Sequence, residues 1–286
     1  ALDWVGTVES AIKKSTSQSV EERLLAVLFL RRQESPKLFD FLSDADPVVR
    51  IEAIRAVYDT KVLDTWVGDR LAALDGKGLP ETIQRRIIAA NYRKGKARHA
   101  QRMVSLASDA KLHKSARQSA LQGLRMWEAS IDTDPVLGHY RPQVVKDRTM
   151  KELGIDLTGV LRRFISSKQD SSLAALATKL ANETGVSLDV ATLRRQVVDG
   201  KVPADVRVAT LDSLAQAGHP SDDTIILSLL NDAEINVRAS ALGHAFDREL
   251  DGVAELGSVA VKTGPIPAAR SGIAGLAVLE PATLIN

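Results

Sequence analysis

Residues Asp46 to Val57 read DPVVRIEAIRAV, and this short stretch decides how the rest of the chain is organised. Asp46 can accept hydrogen bonds from the amides of a first helical turn, and Pro47 lacks an N–H that would have no intrahelical partner there. A helix therefore starts here. Ala53, Ile54 and Val57 follow Arg50 at intervals of three, four and seven residues, so they share one face and bury together. The pattern recurs around Arg23, Arg117, Arg207, Arg238 and Arg270, and Arg85 or Arg86 is expected to take the equivalent place in the helix Ile83–Tyr92. Pro203 and Pro267 precede their arginines much as Pro47 precedes Arg50. Self-similarity at a period of roughly 20 to 50 residues signals an array of helical hairpins.

The spacing also shows where the array is interrupted. Arg23 and Arg50 are 27 apart, Arg207 and Arg238 are 31 apart, and Arg238 and Arg270 are 32 apart, yet Arg117 and Arg207 are separated by 90 residues. An insertion is expected over 127–150, WEASIDTDPVLGHYRPQVVKDRTM, rich in Asp, Gly and Pro turn signals. Trp127 and Tyr140 are its expected anchors, two large aromatics that hold an ordered loop across the helices. The chain then divides into N-terminal repeats (1–126), the inserted loop (127–150), and a divergent hairpin with the C-terminal repeats (151–286), all within a single array. Outer helices are expected at Lys37–Leu42, Trp66–Leu74 and Ala97–Ala107, and inner ones at Ser19–Arg31, Ile83–Tyr92 and Leu112–Leu124.

Composition narrows the chemistry. The 286 residues are 44% hydrophobic but only 4% aromatic, as suits thin layers of paired helices rather than a thick core. No apolar run reaches the roughly 18 residues that a spanning helix needs. Cysteine is absent, which removes disulfides, thiolate metal sites and cysteine nucleophiles. His99, His113, His139, His219 and His244 show no i, i+4 pairing with a nearby Glu, and no G-x-S-x-G occurs. The sequence thus carries no catalytic constellation, no metal-ligating set and no cofactor motif. Because the chain opens on Ala1 and closes on Asn286 just after a repeat helix, it is expected to be a segment of something longer.

The recurring cap, Val-Arg and small residue resemble the HEAT-repeat family. The resemblance implies an all-α fold, an α-solenoid of about six to seven HEAT-like hairpins wound as a right-handed superhelix. Within about 46–143, Asn91, Tyr92, Trp127, Asp134, Gly138, Tyr140, Arg141 and Pro142 resemble the HEAT segment of large secreted bacterial proteins. Those proteins carry a sugar-dehydrogenase-like β-propeller before the repeats and a c-type haem-binding domain after them. The resemblance implies an extracytoplasmic location, periplasmic or secreted, and a role beside redox domains. It carries over no catalytic or haem residue.

One local bias remains. Between Thr82 and Trp127 eleven basic residues face a single acid, Asp109, a balance of +10 that leaves the rest of the chain at −8 within an overall +2. Arg85, Arg86, Arg93, Lys94, Lys96, Arg98, Arg102, Lys111 and Lys114 are the candidate contacts for an anionic partner. Asp46, Pro47, Arg50, Arg117, Arg207, Arg238 and Arg270 are the expected structural anchors. Two functions follow. The first is a non-catalytic protein-interaction, spacer or scaffold module whose partner, a separate protein or a neighbouring domain, presents an acidic surface. The second is a nucleic-acid-binding protein resembling HEAT-like DNA glycosylases, with the basic block on phosphates and Trp127, Trp66 and Asp134 near an extruded base.

Overall fold

The computed structural model describes residues 7–155, 157–166, 170–186 and 188–279, and Ala1 and Asn286 lie outside them. Its contacts fall into two compact units, Ala1–Ile155 and Asp156–Asn286. Among the described residues the fold is all-α apart from one short two-stranded sheet.

The first unit contains α1 (Val8–Lys14), α2 (Val20–Arg32), α3 (Pro47–Asp59), α4 (Trp66–Ala72), α5 (Glu81–Lys94), α6 (Ala97–Ser108) and α7 (Lys114–Arg125), followed by strands β1 (Ile131–Thr133) and β2 (Tyr140–Gln143). Helices α2, α3, α5 and α7 stack in succession, and α4 and α6 pack as the second members of their hairpins. Helix α3 starts as its residues dictate. The Asp46 carboxylate accepts from the N–H groups of Val48 at 2.8 Å and Val49 at 3.3 Å, and Pro47 is the first helical residue. Ala53, Ile54 and Val57 are fully buried, each large apolar side chain contributing about 1.5 to 3 kcal/mol on burial. The outer element expected at Lys37–Leu42 is a 3-10 helix, Pro36–Phe41, opened by Ser35 and Pro36 and too short for an α-helix.

The second unit contains α8 (Thr158–Ser166), α9 (Ser171–Thr184), α10 (Val190–Val198), α11 (Ala204–Ala217), α12 (Asp223–Leu229), α13 (Ile235–Asp247), α14 (Val253–Thr263) and α15 (Ile266–Leu279). Here α9, α11, α13 and α15 form the stacked row, with α8, α10, α12 and α14 as their hairpin partners. Leu193, Val197, Leu211, Leu214, Ile226 and Val237 centre its core.

Five of the turns between helices share one device. The carboxylates of Asp44, Asp75, Asp109, Asp199 and Asp232 each accept the N–H two residues on, from Asp46, Lys77, Lys111, Lys201 and Glu234, at 2.8 to 3.0 Å. An arginine in the next helix then reaches back. Arg50 donates to the Asp44 carbonyl at 2.6 Å and Arg238 to the Asp232 carbonyl at 2.5 Å. Arg23 makes the same bond to the Ser17 carbonyl at 2.7 Å, with the Ser17 hydroxyl in place of the carboxylate. In the longer turns Arg117 and Arg207 donate through Nε to the carbonyls of Ala107 and Val197, at the ends of α6 and α10, at 2.9 and 2.8 Å.

Neither Arg85 nor Arg86 occupies this place in its repeat. Gln84 does, donating to Gly76 O and Leu79 O and accepting the His113 N–H at 2.9 Å. The turn that opens at Asp75 is one residue longer than those at Asp109 and Asp199, so the inward residue lies nine positions after the aspartate, at 84, where Arg117 and Arg207 lie eight after theirs. Arg270 follows Gly264 and Pro265 rather than an aspartate turn.

Two of the arginines also link consecutive turns. Arg23 grips the Asp44 carboxylate at 2.9 and 3.1 Å, and Arg207 grips Asp232. That contact holds the Asp232 carboxyl below its usual range. Arg207 is 2% exposed, so Arg207→Met should lower stability by about 3 kcal/mol by stranding Asp232 and the Val197 carbonyl. Arg238→Met, which loses carbonyl contacts at a wetter site, should cost about 1 kcal/mol. Equal urea midpoints for the two variants would refute this ranking.

Candidate interaction site on the inserted ribbon

Helices α3 and α5 end at the same edge of the first unit as the inserted segment, and their last carbonyls lack intrahelical donors. The insertion supplies them. Arg141 donates to Tyr58 O at 2.7 Å and Thr60 O at 3.1 Å, and Gln143 donates to Arg93 O at 3.0 Å. Arg148 donates to Tyr92 O at 2.9 Å and Trp127 O at 3.4 Å. Cationic side chains at helix C-termini also face the negative end of the helix dipole. Gly95, which closes α5 with φ +64°, leaves room for this: a Cβ there would lie 2.0 Å from Arg148 Nη2.

Asp134 ties the segment down from inside. Its carboxylate is fully buried and accepts the Tyr58 hydroxyl at 3.0 Å and the N–H groups of Val136 at 2.9 Å and Leu137 at 3.0 Å. Arg93 and Arg141 lie 3.2 and 3.5 Å from its Oδ2. Burial pushes the Asp134 pKa up, but the Leu137 and Val136 amides, the Tyr58 hydroxyl and the Arg93 charge together hold it below the usual carboxylate range. Burial first, and then the Asp134 charge, push the Tyr58 phenol up, so it stays a donor. Trp127 is fully buried edge-on to Tyr92, ring centroids 6.4 Å apart, and the Arg148 guanidinium sits 4.4 Å over the indole.

The expected loop is therefore an antiparallel ribbon, β1 against β2, with Ile131 opposite Gln143 and Thr133 opposite Tyr140. Its polarity is inverted. Arg141 and Gln143 turn toward the helices because unpaired carbonyls wait there, so the alternation of a strand sends Tyr140, Pro142 and Val144 outward. Tyr140, expected to pack beside Trp127, is 76% exposed, and Val144 is 71% exposed. Arg141, Gln143 and Arg148 do the anchoring expected of Tyr140. The signal that would have found them is a period-2 segment facing helix ends, where donors rather than apolar groups are needed.

The basic block is dispersed. Arg86 pairs with Asp59 at 3.0 Å, Arg93 with Asp134, and Lys94 and Arg98 with Asp69 at 3.1 and 2.5 Å. Arg85 donates to Pro135 O at 3.0 Å, and Arg102 donates to Ala73 O. Asp59, Asp69 and Asp134 all lie outside the Thr82–Trp127 window, so the tertiary fold supplies the acids that the local sequence lacks. Lys96, Arg98, Lys111 and Lys114 are exposed. Trp127 and Asp134 are buried, and Trp66 is 53% exposed beside Phe39. Among the described residues no three His, Asp or Glu side chains are placed to hold a metal ion.

No family model matches this chain, and no curated protein matches it.

His99 adds a pH dependence to the neighbouring hairpin. It is buried, its Nδ1 accepts the Lys96 N–H at 3.1 Å, and its Nε2 faces Asp69 at 3.3 Å. Burial, reinforced by the Arg98 charge, lowers its pKa from 6.5 to about 4. Between those values the unfolded chain takes up a proton that the folded chain refuses, so stability falls as pH drops from 6.5 toward 4. His99→Gln keeps an acceptor at this capping position without a titrating ring. Its urea midpoint should change less across that window, by the linkage of about one proton; an identical slope in both proteins would rule His99 out.

Asp134→Ala leaves Arg93 and Arg141 facing one another without a carboxylate and should destabilise the protein by about 3 to 5 kcal/mol. Limited proteolysis within 131–148 should accelerate in that variant. An unchanged melting temperature and cleavage pattern would show that the network does not hold the ribbon.

Proposed function

We propose that the chain is a non-catalytic protein-interaction or scaffold module that docks a partner on the outward stripe of the ribbon, Tyr140, Pro142 and Val144. The observation that carries this is the inverted strand: apolar side chains face water on a segment whose other face is fixed by Asp134, Arg141, Gln143 and Arg148. An aromatic and aliphatic stripe on a rigid base is a suitable interface core, since little ordering is needed on binding.

The stacked hairpins and the repeated aspartate turn favour an α-solenoid of HEAT-like repeats, wound as a right-handed superhelix, for the whole chain. On the resemblance, the module belongs to a larger exported protein with redox domains, and the partner is one of those domains or a protein bound beside them. Exposed Lys96, Arg98, Lys111 and Lys114 suit an acidic rim on that partner. Nucleic acid is disfavoured, because Trp127 and Asp134 are buried and most of the basic block is paired internally.

Site-specific photocrosslinking in the native host tests the proposal. A photoreactive residue at position 140 should capture a discrete protein, and one at the exposed helix residue Gln216 should not. Val144→Ser should reduce the yield from position 140 by about tenfold, the loss of a central contact worth about 1.4 kcal/mol. Equal labelling from both positions, or nucleic acid in the adduct, would overturn it.

A further inference from the structure

In the second unit a serine and a histidine meet in the turn between α11 and α12. Gly218, with φ +68°, ends α11, and a short 3-10 turn, Pro220–Asp222, leads into α12. The His219 ring folds over this turn: its Nδ1 lies 3.2 Å from the Ser221 amide nitrogen and 2.7 Å from Ser221 Oγ. Arg194 of α10 reaches the same oxygen through Nη2 at 2.7 Å, while its Nε donates to the fully buried Asp222 carboxylate at 2.7 Å. Arg248, just past α13, donates to the His219 carbonyl at 3.1 Å and pairs with Asp223 at 2.5 Å. Both the ring and the hydroxyl belong to exposed residues.

The directions of these bonds follow by elimination. An amide N–H only donates, so Nδ1 is the bare nitrogen of a neutral ring whose proton sits on Nε2. A guanidinium also only donates, so Ser221 Oγ accepts from Arg194 and its own hydrogen points at Nδ1. One lone pair on Oγ is left over. A positive charge beside a hydroxyl favours its ionised form, and a base on its hydrogen takes the proton as the oxygen attacks. Capping the turn would need only the bond from the Ser221 amide. The hydroxyls of Ser105, Ser119, Ser213 and Ser228, by contrast, donate to carbonyls of their own helices, where no base receives the proton.

We propose that Ser221 is a nucleophilic serine that accepts an acyl group from activated esters, with His219 as its general base and Arg194 holding the oxygen. Ser221 Oγ attacks the acyl carbon and its proton passes to His219 Nδ1. The new bond is Oγ to acyl carbon, and the bond from that carbon to the leaving oxygen breaks, the electron pair departing with the leaving group. His219 then gives the proton to the leaving group or to water, which restores the neutral ring. Asp222 fixes the Arg194 guanidinium through Nε and so keeps Nη2 on the serine. Each chain takes one acyl group, so the site is one of covalent modification and is compatible with a non-catalytic module.

A time course of the full chain with p-nitrophenyl acetate tests this, read by proteolysis and mass spectrometry, with circular dichroism as the control for folding. Release by hydroxylamine distinguishes an ester on serine from an amide on lysine. The exposed residues Ser105 and Ser228 are internal references. Ser221 should be acetylated about 100-fold faster than either, the low end of what a positioned base supplies. His219→Asn keeps an oxygen for the Ser221 amide but has no basic nitrogen, and should bring Ser221 down to the rate of Ser228. Arg194→Lys keeps a charge beside Asp222 without the fork that reaches both partners, and should slow Ser221 by about tenfold. Equal rates at the three serines of the wild type, or a wild-type rate at Ser221 in either folded variant, would overturn the proposal. The ribbon plays no part in this experiment, so its outcome is separate from that of the docking proposal.

Discussion

A carboxylate that accepts the amide two residues ahead, with an arginine that returns to the carbonyl beneath it, is the interaction that sets the turns into α3 and α13, and variants of it serve the turns into α2, α7 and α11. A tight turn between antiparallel helices must satisfy donors at the start of one helix and acceptors at the end of the other with very few residues. Aspartate can serve only as acceptor when ionised, and arginine only as donor, so the two divide the work without competition. Asp44 with Arg50 and Asp232 with Arg238 are the compact form, six residues from acid to base. Arg117 and Arg207 are the extended form, reaching the preceding helix itself. Arg23 to Asp44 and Arg207 to Asp232 then lock one turn to the next, so that the turns, as well as the apolar faces, set the stacking.

The same requirement governs the opposite ends of the helices in the first unit. There the insertion brings Arg141, Gln143 and Arg148 to the last carbonyls of α3 and α5. Asp134 compensates the two arginines that meet at its buried carboxylate. A buried charge cluster of this kind is stable only when every member has a partner, and here amides, a phenol and two guanidinium groups surround one carboxylate.

Much of the helical layout was legible because it rests on local rules. Asp46 and Pro47 announce a helix start, and Ala53, Ile54 and Val57 repeat at helical spacing, so α3 follows from a dozen residues. The device in the turns was less visible. Asp46 stands out beside its proline, but Asp44 makes the link to Arg23, and nothing in a capping pattern distinguishes the two. Gln84 was missed for a related reason, since one additional turn residue shifts the inward position and an amide does the work elsewhere done by guanidinium. The charge of the block from Thr82 to Trp127 was misleading as a surface statement. Counting along the chain cannot show that Asp59, Asp69 and Asp134 arrive from either side to meet it.

The inverted ribbon was the least legible feature, because hydrophobic patterning assumes that the interior is apolar. At the ends of helices it is not: exposed carbonyls make donors the favoured inward residues, and the apolar set is displaced to the other face of the strand. Register then becomes decisive. A slip of one residue would turn Tyr140 and Val144 onto carbonyls that they cannot satisfy and put Arg141 and Gln143 into water, so the slipped state loses several charge-assisted hydrogen bonds at once. The ionic network beneath the ribbon therefore does more than hold it in place. By fixing the register, it determines that Tyr140, Pro142 and Val144, and not their neighbours, are the side chains presented to solvent.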